Sequence, residues 1–301
     1  MNSIITRNLS YTSGSKTILK DINLCVPAGS IYGFLGRNGA GKSTTIKLLL
    51  GLIESTGDNI FIHNKSLKQN RNEILSSTGN LIESPCYYTK LTVFENLRYL
   101  DLIYKKGIKW IDEVLELVDL NKEKKKKANN LSMGMKQRLG IAMALYNNPE
   151  LLILDEPLNG LDPQSVFEMR NLFQKLNEQG KTIFLSSHIL SELEKTATHI
   201  GIIDDGKIIF QGTKDELLCK VEKEVIMRVN DVEKAVAATV QAGLNLFQTD
   251  LYKISIKITD DKEFSTLIKT IINNNIEIYD IKSNHANLEH IFIKLISQIH
   301  D

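Results

Sequence analysis

The chain has 301 residues, 42% of them hydrophobic, enough for one large core and one small one. Its 37 basic and 36 acidic side chains nearly cancel, so no overall field favours nucleic acid or an anionic membrane. Cys25, Cys86 and Cys219 form no CxxC pair and no apolar stretch approaches the roughly 20 residues of a membrane span, so disulfide, zinc and self-inserting membrane classes are set aside in favour of a reducing compartment.

From Ile4 to Ile31, short apolar pieces broken by Gly14, Ser15, Pro27 and Gly29 predict antiparallel strands and turns. Ile31-Tyr32-Gly33-Phe34-Leu35 then reads as a buried strand and Ser43 to Leu50 as a helix. Between them Gly36-Arg37-Asn38-Gly39-Ala40-Gly41-Lys42-Ser43 fits the phosphate-binding pattern GxxxxGK[ST] in the strand-loop-helix context it requires. Glycines let backbone amides face phosphate, the helix N-terminus adds positive charge, Lys42 reaches the β/γ oxygens and Ser43 offers a hydroxyl to magnesium. Thr44 joins this nucleotide-binding set. A plain glycine turn would need neither Lys42 nor Ser43.

Apolar residues at helical spacing between Leu91 and Leu120, among them Leu97, Leu100, Ile111 and Val114, predict a helical insert. The cluster Lys122-Glu123-Lys124-Lys125-Lys126-Lys127 could touch lipid or nucleic acid, and a solvated loop or helix end is the preferred reading. Leu151-Leu152-Ile153-Leu154 is an apolar strand ending in Asp155-Glu156-Pro157. Asp155 is suited to magnesium and Glu156 to polarising the water that attacks the γ-phosphorus. A helix over 165–179, a strand at Thr182–Ser186, a second helix and a strand pair at 200–203 and 207–210 complete an alternation that implies a mainly parallel sheet under helices.

Thr213 and Glu216 form a capping box that opens a helix leaving this core, which puts the domain boundary near Cys219: 1–219 and 220–301. Beyond it come a strand at 224–229, a helix with Val232, Val236 and Val240 on one face ended by Gly243, an alternating strand over 252–258, a helix marked by Phe264, Ile268 and Ile271, and a strand over 276–281. A last helix, capped by Asn287, would turn Leu288, Ile291, Phe292 and Leu295 inward. The βαββαβ order suggests a small ferredoxin-like accessory domain with no catalytic constellation.

Leu131-Ser132-Met133-Gly134-Met135-Lys136-Gln137-Arg138 narrows the class, because it resembles the LSGGQ signature, followed by QR, of the ATP-binding subunits of ABC transporters. Met133 and Met135 depart from that pattern, while Ser132 and Gly134 are retained. Ser132 would sit at a helix N-terminus, where its hydroxyl and the helix dipole favour the γ-phosphate. In the family that phosphate belongs to ATP held by the opposing subunit. By the same resemblance Tyr11 matches the aromatic that stacks on adenine, Asn159-Gly160-Leu161-Asp162 the loop that communicates between the two sites, and His188 the switch histidine at the γ-phosphate. Glu83, in Leu81-Ile82-Glu83-Ser84-Pro85, stands where the family usually has Gln, and its charge near magnesium and phosphate should alter coupling. A Glu there is similar to the bacitracin-resistance and lantibiotic-immunity branch, as are 31–52, 132–145 and 186–192, with a looser likeness at 287–292.

The resemblance implies an α/β P-loop ABC ATPase core with antiparallel β and helical subdomains, using ATP and Mg2+. It implies a homodimer or ATPase-domain pair on an integral membrane permease, cytoplasmic and peripheral on the inner face of the cell membrane. Membrane contact through the permease alone, no nucleic acid, and antimicrobial-peptide export follow as expectations. The alternatives are a housekeeping exporter of lipid or polysaccharide, and a soluble ABC ATPase acting on DNA or the ribosome.

Overall fold

The computed structural model describes residues 1–218, 223–258 and 261–284 and divides into two compact units, Met1–Lys214 and Asp215–Asp301. The first unit opens with β1 (Asn2–Thr6), β2 (Leu9–Ser13), β3 (Lys16–Ile22) and β4 (Cys25–Pro27). The chain then enters the central sheet as β5 (Ile31–Leu35), whose five residues are all buried, and turns into α1 (Lys42–Leu49). Strands β6 (Ile60–Ile62) and β7 (Lys65–Ser66) return to the first layer, giving an antiparallel sheet β4-β1-β6-β7 beside the β2-β3 hairpin. Next come α2 (Arg71–Ser76) and β8 (Thr78–Leu81).

The helical insert is two helices, α3 (Val93–Tyr104) and α4 (Ile108–Leu117). Thr92 and Glu95 start α3 with a capping box, and left-handed Lys105 stops it. After α5 (Met133–Leu145) the sheet resumes with β9 (Leu151–Leu154), α6 (Pro163–Glu178), β10 (Thr182–Ser187), α7 (Leu190–Thr196), β11 (His199–Asp204) and β12 (Lys207–Thr213). The strand order is β12-β11-β5-β10-β9-β8. All neighbours are parallel except the edge pair of β11 and β12. Strands this continuously apolar need cover on both faces, which crossover helices supply. β8 is a strand that apolar pattern does not announce: Thr78-Gly79-Asn80-Leu81 reaches the edge because Gly79 leaves room for the Ala144 carbonyl.

The register matters for chemistry. Ser187 pairs with Leu35 and Leu185 with Leu154, so the carboxyl ends of β5, β9 and β10 come out side by side. In parallel sheets that edge is where ligands bind.

Helix α8 (Lys214–Leu218) begins right after Thr213, and the division between units falls at its start, ahead of the position expected near Cys219. The second unit runs β13 (Lys223–Val229), α9 (Val232–Gln241), β14 (Asn245–Asp250), β15 (Lys253–Ile258), α10 (Asp261–Asn273) and β16 (Ile278–Asn284). Its antiparallel sheet, ordered β14-β15-β13-β16, is the ferredoxin-like arrangement. Val225, Met227, Ile254 and Ile256 pack with Ala235, Leu267 and Ile271. Val232 and Val236 join that core, whereas Val240 is 58% exposed, because Ala235, Ala238 and Thr239 take the inward positions of α9. Cys219 and the expected helix after Asn287, with Leu288, Ile291, Phe292 and Leu295, lie outside the described residues.

Candidate nucleotide-binding and hydrolytic site

The loop from Gly36 to Gly41 leaves the end of β5 and runs straight into α1. Gly41 has φ of 113°, and a side chain there would meet Leu19 Cδ2 at 2.6 Å, so only glycine fits the entry to the helix. Lys42 is buried; its Nζ donates to the carbonyl oxygens of Gly36 at 2.8 Å and Arg37 at 3.4 Å. Buried Ala40 offers its carbonyl to Gly206 N–H. A cavity of about 570 Å³ opens above the loop, lined by Asn38, Gly39, Gly41, Lys42, Ser43 and Thr44. Opposite them stand Glu156, Asn159 and His188, with Lys16–Ile18 of β3 and Asp205–Gly206 closing the remaining wall.

At the end of β9, Asp155 is buried and Glu156 takes a left-handed φ of 48°, which turns its carboxylate toward the cavity. Glu156 Oε1 lies 3.3 Å from Lys42 Nζ, and Oε2 lies 2.8 Å from His188 Nδ1. An ionised carboxylate only accepts, so the imidazole donates from Nδ1. Ser186, near the end of β10, joins the two acids: its hydroxyl donates to Asp155 Oδ1 at 2.6 Å and accepts from Glu156 N–H at 2.8 Å. The result is a carboxylate fixed by a cation on one side and an imidazole on the other, facing a phosphate-sized loop.

Other expected residues stand elsewhere. Ser132 caps α5 and accepts from Met135 N–H at 3.3 Å. A side chain on Gly134 would collide with the Ser165 hydroxyl, so α5 and α6 approach closely here only because it is glycine. Neither residue lines the P-loop cavity of its own chain. Asp162 caps α6, accepting from Ser165 N–H at 2.9 Å, and that backbone bond with the Ser165 hydroxyl holds its carboxyl below the usual range. Tyr11 is half-buried against the core of the hairpin, whose other strand supplies the lining. Glu83 Oε1 accepts from Lys47 Nζ at 2.9 Å, which lowers the acid's pKa and raises that of the lysine. Of the three residues expected at magnesium, Ser43 lines the cavity, Asp155 is buried beside it at the strand end, and Glu83 is outside the lining.

The chain matches the ABC transporter family over residues 19–159. It is 42% identical to the bacitracin transport ATP-binding protein BcrA of Bacillus licheniformis, over 98% of each chain. The chain belongs to the ABC transporter family. It is an ATP-binding subunit and an ATPase of that family. The lantibiotic transport ATP-binding protein SrtF of Streptococcus pyogenes is 40% identical over 69% of this chain and 90% of its own. Among solved ABC cassettes, a dimeric one in a post-hydrolysis state with ADP and phosphate superposes with a TM-score of 0.62 at 28% identity, covering 70% of this chain and 98% of that one.

Sequence reasoning missed Asn159 as lining, Asp205–Gly206, Lys16–Ile18 and Ser186. Asp205-Gly206 carried a signal, the Asp-Gly pair of a hairpin between two apolar strands. Ser186 carried none, since a serine at a strand end is unremarkable until its neighbours are placed.

Proposed function

We propose that this chain is the ATP-hydrolysing subunit of an exporter that protects cells against an antimicrobial peptide of the bacitracin or lantibiotic type, working as a nucleotide-sandwiched pair beneath a separate membrane permease. The observation that carries the hydrolytic part is the convergence of Lys42, Glu156 and His188 on one cavity. Lys42 and the loop amides bind the phosphates; Glu156, oriented by His188, takes the proton of the attacking water. Ser43 and Asp155 offer oxygen ligands alone, the donor set magnesium takes when phosphate oxygens and water complete its shell, and the bound ion would neutralise phosphate charge. The placement of Ser132 and Gly134 outside their own chain's cavity supports a second subunit.

A groove of about 340 Å³ supports a permease contact. It lies between the Ile82–Cys86 loop and the helices α3 and α5, lined by Pro85, Leu100, Tyr104 and Gly140. Elsewhere on α3, Leu102 and Ile103 are 65% and 66% exposed, apolar side chains open to a partner. No described helix is long and apolar enough to cross a membrane. Attachment to the inner face of the cell membrane through the permease is part of the same proposal. The peptide cargo is supported by the two transport relatives.

The test is resistance. A susceptible bacterium given this chain with its co-purifying membrane protein should survive raised bacitracin or lantibiotic. Glu156→Gln should remove that protection, keeping ATP binding while slowing hydrolysis roughly 10²–10⁴-fold. Intact hydrolysis without protection against either peptide class would replace peptide export by lipid or polysaccharide export.

A further inference from the structure

Lys47 lies in the last turn of α1, the helix whose first residues, Lys42 and Ser43, face the nucleotide cavity. Its ammonium reaches across to Glu83, 36 positions later, at 2.9 Å. Glu83 sits at a reversal of the chain: its φ is 58°, a left-handed value for a residue with a Cβ, and Ser84 N–H returns to the Ile82 carbonyl at 2.6 Å. Two residues earlier, the Leu81 carbonyl accepts from Asp155 N–H at 2.7 Å. Just beyond, Ser84, Pro85 and Cys86 line the groove beside α3 and α5. One short loop is therefore tied at one end to the strand that carries the hydrolytic acids, at its bend to the phosphate-binding helix, and at the other end to the groove.

We propose that Lys47 is a positioning residue for this loop: it clamps the Glu83 carboxylate to α1, so that movement of α1 on nucleotide binding is passed to the wall of the groove. Unlike a neutral glutamine, the Glu83 carboxylate carries a charge that a cation can hold. Lys47 supplies that cation. The pair is 38% and 67% exposed, so it adds little to stability and can exchange readily, as suits a moving tether. The proposal rests on α1 being the nucleotide-binding helix.

Hydrogen exchange on the full chain, with and without magnesium and a non-hydrolysable ATP analogue, tests it. The analogue should slow exchange across residues 80–86 of the unmodified chain. Lys47→Met and Glu83→Gln should each cut that response about two- to fivefold. The double variant should be no worse than either single one, and the exchanged pair Lys47→Glu with Glu83→Lys should restore the response. Analogue affinity should stay within about threefold throughout, which separates the tether from binding. A Lys47→Met loop that responds as before, losses that add in the double variant, or no response in the unmodified chain despite bound analogue would each overturn the tether. Failure of the unmodified chain to bind the analogue would overturn the nucleotide reading and the tether together.

Discussion

Glu156 is held in a conformation that it would not choose alone. A left-handed φ in a residue with a side chain costs of order 1–3 kcal/mol, and here three contacts oppose that cost: Lys42 Nζ, His188 Nδ1 and the Ser186 hydroxyl on its backbone N–H. Ser186 is the least obvious of these and the most diagnostic. It is buried, and it serves two acids with one oxygen. Ser186→Ala would leave the Glu156 N–H and one Asp155 oxygen without that partner, each loss worth about 1–3 kcal/mol. The expected result is a melting temperature lowered by several degrees and a clear fall in kcat. ATP affinity should change little, because Lys42 and the loop amides are untouched. Turnover and nucleotide titration measured side by side check this, and a purely structural serine would lower stability while sparing kcat.

At the scale of elements, α3 shows how local sequence sets an end that later packing uses. The Thr92 hydroxyl accepts from Glu95 N–H at 3.1 Å, and Glu95 Oε2 accepts from Thr92 N–H at 2.7 Å. Thr92→Ala should destabilise the insert by about 1 kcal/mol, seen as faster hydrogen exchange over residues 93–104. The bond from Thr92 N–H, the larger cause, and then the Thr92 hydroxyl hold the Glu95 carboxyl below its ordinary value. A lowered folded-state pKa means stabilisation that is present above the unfolded pKa of about 4.3 and lost as pH falls through the folded value. Glu95→Ala should therefore matter at pH 7 and cease to matter in acid. Gly41-Lys42-Ser43 mark the start of α1 plainly in sequence, because a phosphate loop is local. The site's remaining wall was not legible for the opposite reason. Lys16–Ile18 and Asp205–Gly206 meet only after β3 and β11 are placed, with Lys20 N–H bonded to the Gly206 carbonyl at 2.8 Å. Likewise β8 lacks an apolar run and is a strand because Thr78 to Leu81 find partners on β9.

For the whole molecule, the decisive feature is where one chain holds its signature residues. Its P-loop, Glu156 and His188 share a cavity, while Ser132, which caps α5, and Gly134 lie outside that cavity's lining. If Ser132 serves nucleotide bound by another chain's Lys42, turnover should rise more than linearly with concentration while pairs are scarce. A sharper test mixes two inactive variants. Lys42→Ala removes the phosphate-binding cation from one face, and Ser132→Arg places a bulky side chain on the other. In a mixed pair one interface carries both lesions and the other carries neither, so about half the turnover of an unmodified pair should return where the two sites act independently. Native mass spectrometry identifies the mixed pairs, and phosphate release reports their activity. Mixed pairs that form and remain as inactive as either parent would mean either that the sites fire only together or that no site is shared. ATP titration of the mixed pair separates these: strictly coupled sites still bind nucleotide at the intact interface, whereas unshared sites bind it only on the chains that keep Lys42, with an affinity indifferent to the partner.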